Sequence, residues 1–195
     1  MREIVPDGET KNLRVIAERI RARRTTKLFL KREVSRELVL DAIELARWAP
    51  NHHLTEPWRF YLLGKKKIAD CIAIIGELIR ETRNDDELAA FKEQSAKEIP
   101  GWLLVTCKKS GNKLTQQEDY ASCCCAIQNL TLYLSEAGVA AKWTTGKITR
   151  DQRLFDLLGI DSAEEFVVGL IWYGYPKTLP TQSRKDVSEI LVETD

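Results

Sequence analysis

From Tyr120 to Leu134 the chain runs without a charged residue and is mostly apolar. A membrane-spanning helix needs about 20 consecutive apolar residues, so this segment is too short to cross a bilayer. It is also apolar on every side, which predicts a buried core helix rather than a surface one. The helix is expected over Gln116–Ala137, ended by Gly138 just past its last turn. At 195 residues the chain has the size of one domain, and we expect a single domain over 1–195. Roughly 70 % of the unfolded surface can be buried at this length, so the core needs neither disulfides nor a structural metal. There is no internal repeat, low-complexity tract or linker.

Around this helix the periodicity alternates. Leu13, Ile16, Ala17 and Ile20 make one stripe of a first helix over Lys11–Arg23, with Thr10 as its expected cap. Ser35 caps a second helix, with Val34 and Val39 placed for a hydrophobic staple and Pro50 as the stop. Trp58–Leu63 reads as a strand, and Ile68 to Ile79 mark a third amphipathic helix. The polar stretch Glu81–Glu98 is expected to be another helix with a mobile start. Trp102–Cys107, Ala140–Thr145 and Phe166–Tyr173 read as further strands, and Thr149-x-x-Gln152 reads as a capping box for a short helix ended by Gly159. Helices interleaved with four short strands predict a mixed α/β or α+β layer architecture.

Thirty Lys plus Arg stand against 29 Asp plus Glu, a formal charge of +1 that argues against a nucleic-acid partner. No apolar run predicts a membrane span, and the charged start MREIVPDGETK does not read as a signal peptide. Five cysteines, three of them consecutive at 123–125, fit reduced thiols and a cytoplasmic location. Consecutive helical residues point about 100° apart, so this run cannot converge on one metal. Buried filler is the simpler reading.

The densest charge is Arg21, Arg23, Arg24 and Lys27, with Thr25 and Thr26 between. Guanidinium forks and hydroxyls suit a phosphate. On spacing alone, a solvated basic helix end is the more usual explanation of such a cluster. No P-loop or Rossmann glycine motif offers another anion site. Both histidines sit together at His52 and His53, and no nucleophile signature accompanies them. No metal site is expected.

Several segments taken together resemble the nitroreductase family. Arg21–Phe29 (RARRTTKLF) is similar to its opening R-R-S-x-R/K-x-F motif, and Arg47–Leu63 to its A-P-x(6)-P-W segment and strand. Ile127-Gln-Asn-Leu130, Glu136-Ala-Gly138 and Trp143-Thr-Thr-Gly146 follow in the family's order. Val167–Pro176 resembles its V-x-G-x-x-x-x-G-x-P strand, and Ser183-Arg-Lys185 its closing basic motif. His52, two positions after Pro50, points to the compact branch. Leu54 and Glu56 stand where many relatives carry Asn and Gln, and the Gly-Glu pair of larger members is missing.

The resemblance implies an α+β fold: a central, mostly antiparallel sheet flanked by helices in a three-layer α/β/α sandwich, paired as a homodimer with swapped tails. It implies FMN between the subunits, NADH or NADPH as cosubstrate, and hydride transfer to a small-molecule acceptor such as a nitroaromatic or quinone. A specialised flavin reaction on the same fold, or flavin binding without catalysis, are the alternatives. Carried over by position, Arg23, Arg24 and Thr25 would meet the phosphate and ribityl chain, and Lys27 the pyrimidine end of the ring. Trp143, Thr144 and Thr145 would line the ring, with Trp48 and His52 coming from the other subunit. Arg184 and Lys185 would complete the phosphate clamp. The flavin would carry the chemistry, so no catalytic side chain is expected.

Overall fold

A computed structural model describes residues 11–194, so the expected cap at Thr10 lies outside the described residues. Six helices and four strands follow in the order α1 (Lys11–Ala22), α2 (Arg36–Ala46), β1 (Trp58–Leu62), α3 (Lys65–Arg83), α4 (Asp86–Lys97), β2 (Gly101–Lys108), α5 (Lys113–Glu136), β3 (Ala140–Thr144), α6 (Gln152–Leu158) and β4 (Glu165–Gly174). The strands form one antiparallel sheet in the order β1-β2-β4-β3.

Residues of β2 alternate between two cores, because helices cover both faces of the sheet. Leu103 and Val105 pack with Val39 of α2 and with Ile127 and Leu130 of α5. Trp102 and Leu104 pack the other way, with Ile72 of α3, Ala96 of α4 and Leu154 of α6. The result is the three-layer sandwich expected. Burial on both faces explains why β2 is apolar without alternation, every residue from Gly101 to Cys107 being buried.

The central helix starts three residues earlier than expected, because Asn112 Oδ1 accepts from the backbone N–H groups of Leu114 (2.8 Å) and Thr115 (3.1 Å). It ends as expected, with Gly138 at φ 74°. Along it Cys123 is buried, Cys124 half-buried and Cys125 exposed, so the three thiols do splay apart. Ser35 caps α2 by accepting from Leu38 N–H at 3.1 Å, and Val34 packs on the same core as Val39.

Two boundaries differ from the sequence reading. The third helix runs on to Arg83 and is closed by Asn84 in left-handed conformation, while Asp85 caps α4 through Leu88 N–H (2.8 Å). The capping box at Thr149 does not form. Thr149 is buried in a 3₁₀ turn with its hydroxyl donated to the Gly146 carbonyl (2.8 Å), and Asp151 caps α6 instead through Arg153 N–H (3.0 Å).

One stripe forms but finds no cover. Leu13, Ile16 and Ile20 of α1 are 57 %, 57 % and 53 % exposed. The tail is exposed from Lys177 to Thr194, including Val187, Ile190, Leu191 and Val192.

Leu130 is fully buried between α5 and the sheet. Leu130→Ala should lower unfolding free energy by about 2–5 kcal/mol in urea titrations. Hydrogen bonds from Arg153 hold the Asp151 carboxyl below its ordinary pKa. Its stabilisation is therefore full above the ordinary carboxylate range and is lost as pH falls through the lowered value. Asp151→Asn should flatten the acid limb of a Tm-against-pH curve below about pH 4.

Candidate functional site

The basic segment after α1 is stitched along an edge of the sheet. Thr25 forms a parallel bridge with Ala141 of β3, and Phe29 an antiparallel bridge with Pro176 beyond β4. Leu28 C=O accepts from Lys177 N–H (2.9 Å), and Leu30 N–H donates to Tyr175 C=O (2.8 Å). Thr26 is buried, its hydroxyl accepting from Leu28 N–H and donating to the Thr178 carbonyl, both at 3.3 Å. The segment is thus fixed backbone, and its flanking cations are held at set positions.

At its start, Arg23, Arg24 and Arg184 line one groove of about 450 Å³, together with Ile20, Arg21 and Gln128 of α5. Among the described residues Arg24 donates to the backbone carbonyls of Arg21 and Arg23, and Arg184 to that of Ser183. Among the described residues none of the three reaches a carboxylate, whereas Arg153 engages Glu77, Glu81 and Asp151. Burial, then the charges of Arg24 and Arg184, push the Arg23 guanidinium below its ordinary pKa. Three cations drawn together without a counter-charge are unfavourable alone and favourable around a bound anion. Lys185 does not line this groove; its ammonium stands 3.9 Å from Glu189.

At the other end of the segment, Lys27 lies close enough to Lys142 of β3 to depress its pKa. Burial is the main cause of that depression, and Lys92 of α4 adds to it. The Lys142 ammonium sits 4.4 Å from the centroid of the Trp172 ring, a cation–π contact in place of an ion pair. The sequence reading missed Lys142. Its signal was a lone lysine inside the otherwise apolar run Ala140–Trp143.

Trp143 points to the opposite face of β3 from Lys142. Its Nε1–H donates to the Val168 carbonyl at 3.1 Å, and the indole lies across Gly169, where an added Cβ would stand 2.0 Å from it. Thr144 lines an apolar pocket together with Trp172, and the Thr145 carbonyl accepts from Arg150 (3.1 Å). Thr25, Lys27 and the Trp143–Thr145 run therefore share one end of the sheet.

Trp48 and His52 lie elsewhere. Trp48 is 70 % exposed beyond α2, its Nε1–H donated to Glu44 (3.3 Å). His52 is exposed on a 3₁₀ turn beside Ser122 and Cys125 of α5, and neither residue lines the arginine groove. The loop that carries His52 is unusual in backbone, with His53, Leu54 and Glu56 at φ 60°, 51° and 44°. Left-handed backbone costs a non-glycine residue roughly 1–2 kcal/mol, so the loop needs a restraint. Asn51 supplies it: its Oδ1 accepts from Glu56 N–H (2.7 Å) and its Nδ2 donates to Thr55 Oγ1 (3.0 Å). Thr55 Oγ1 in turn donates to the buried Asp119 carboxylate of α5 (2.5 Å).

Comparison with known proteins places this arrangement among relatives. The profile described as the nitroreductase family matches residues 20–175. YfhC of Bacillus subtilis (strain 168), named as a candidate NAD(P)H nitroreductase, is 31 % identical over 175 residues, covering 88 % of this chain and 89 % of that protein. The crystal structure of a nitroreductase-like family protein from Bacillus cereus superposes with a TM-score of 0.79 at 25 % identity, over 98 % of this chain and 100 % of the other. A candidate nitroreductase from Desulfovibrio desulfuricans, solved in complex with FMN, superposes with a TM-score of 0.73 at 24 % identity over 96 % and 98 %.

Asp119→Ala leaves the Thr55 hydroxyl only its longer contact to Asn51 Oδ1 (3.3 Å) and should cost about 1–3 kcal/mol. Hydrogen exchange should speed up at 51–56 more than in β2; uniform change across the chain would contradict the restraint assigned to Asp119.

Proposed function

This chain belongs to the nitroreductase family, and from that premise we propose an FMN-dependent oxidoreductase that uses NADH or NADPH to reduce a small-molecule acceptor. The observation that carries this reading is the groove in which Arg23, Arg24 and Arg184 converge with no carboxylate among the described residues. A dianionic phosphate matches that excess charge, and guanidinium forks match its oxygens. Bound FMN would supply hydride transfer between the nicotinamide and the acceptor.

The chain's own residues bind, orient and tune. Arg23, Arg24 and Arg184 hold the phosphate, and Thr25, fixed by its bridge to Ala141, offers a hydroxyl to the ribityl chain. Lys185 joins the clamp by leaving Glu189, a contact long enough to be exchanged at little cost. Lys27 supplies positive charge at the pyrimidine end, where charge develops on reduction, and Lys142 reinforces it from half-buried surroundings. Trp143, Thr144 and Thr145 line the ring. The same space serves donor and acceptor in turn, which gives ping-pong kinetics with acceptors such as quinones or nitroaromatics.

A second copy completes the site. The exposed stripe of α1 and the apolar tail residues Ile190 and Val192, 70 % and 82 % exposed, support pairing with another chain. In a homodimer with exchanged tails, Trp48 and His52 reach the partner's ring. Five free thiols fit a reducing, cytoplasmic setting.

Arg23→Ala removes one charge-assisted contact and should raise the Kd for FMN roughly 10- to 150-fold in fluorescence titrations. Unchanged affinity would remove Arg23 from the clamp.

A further inference from the structure

Between α3, α4 and the turn after β3 lies a pocket of about 400 Å³. Its walls are Ile75, Leu78, Leu88 and Ile148, with the Trp172 ring as one surface. Such a volume is at the small end for ligand sites and suits a single ring system. A flat indole beside aliphatic walls favours a planar aromatic guest.

The charged lining is of one sign. Arg83 from α3, Lys92 from α4 and Lys147 from the 3₁₀ turn line the pocket, and no acidic residue does. Among the described residues none of the three forms an ion pair. The neighbouring arginine of α3, Arg80, shows the contrast, being held by Glu93 (2.9 Å) and Asp86 (3.3 Å). The excess continues behind the wall, where Lys142 rests on the Trp172 ring and feels the charges of Lys27 and Lys92. A neutral ring alone would leave these exposed cations without a counter-charge, with Lys92 keeping its contact to the Phe91 ring (5.6 Å). An acid on the ring would supply that counter-charge.

We propose that this pocket binds small aromatic carboxylates, the ring against Trp172 and the carboxylate toward Arg83, Lys92 and Lys147. Arg83 offers the bidentate fork and the two lysines offer point charges. Thr144 belongs both to this pocket and to the expected ring-lining set, so the guest lies beside the flavin. This rests on the reading above and narrows its acceptors to ring acids.

The test is calorimetric titration of FMN-loaded protein, without nicotinamide, using 4-nitrobenzoate and its neutral counterpart 4-nitrobenzamide. The benzoate should bind at least about ten-fold more tightly, the size of one charge-assisted contact. Arg83→Met, Lys92→Met and Lys147→Met combined should bring the two within about two-fold by weakening only the benzoate. Leu88→Trp, at the half-exposed rim, should exclude both ligands. Equal binding of the pair, no binding of either, or preference retained in the triple variant would overturn the proposal, as would undiminished binding to Leu88→Trp. Protein that takes up no FMN would overturn the underlying reading instead, and the same titration on that protein would still decide the pocket.

Discussion

Four arginines, Arg21, Arg23, Arg24 and Arg184, line one groove with no carboxylate among them in the described residues, and they set the terms for the rest of the molecule. Like charges separate unless the chain holds them or an anion repays their approach. Here the chain does the holding. Arg23 and Arg24 sit where α1 gives way to a segment bridged to Ala141, and Arg184 arrives from a tail tied down at Lys177 and Thr178. An anion with two negative charges would complete that arrangement, which is why we propose a phosphate-bearing cofactor as its occupant.

The sheet converts this local charge into a site with two ends. The segment that follows Arg24 runs beside β3, so phosphate-type cations lie at one end and Lys27 with Lys142 at the other. Trp143 and Lys142 occupy opposite faces of one strand, which is how β3 serves both the groove side and the apolar pocket. Gly169 has a definite part in this: only a residue without Cβ lets the Trp143 indole lie across β4. Trp48 and His52 stand apart from this cluster on exposed positions, and the restraint by Asn51, Thr55 and Asp119 keeps His52 presented outward.

Much of the fold was legible because each element carried its own signal. The apolar run 120–134 demanded burial, the four strands had apolar bursts, and Gly138 and Gly159 marked stops that the backbone confirms with positive φ. What failed was competition between neighbouring polar groups. Thr149-x-x-Gln152 looks like a capping box, yet Asp151 is closer to the helix start and a carboxylate satisfies N–H groups at least as well. Asp85 and Asn84 likewise divide a stretch that reads as one helix with a loose start. Gathering of Arg23, Arg24 and Arg184 could be anticipated only through family resemblance, since 160 residues of chain separate them and no local pattern encodes the approach. Lys142 showed only as a lone lysine in an apolar run, and the pocket between α3 and α4 was not legible at all. Both depend on which side chains the sheet and the helix pair bring together, and neither leaves a periodic trace.

The most direct measurement is the visible absorption spectrum of protein incubated with FMN and freed of excess ligand, taken anaerobically before and after adding NADH or NADPH. A bound isoalloxazine band that bleaches with one or both nucleotides is the predicted result. Protein that stays colourless after incubation would contradict the account, because the arginine groove would then have no flavin phosphate to hold.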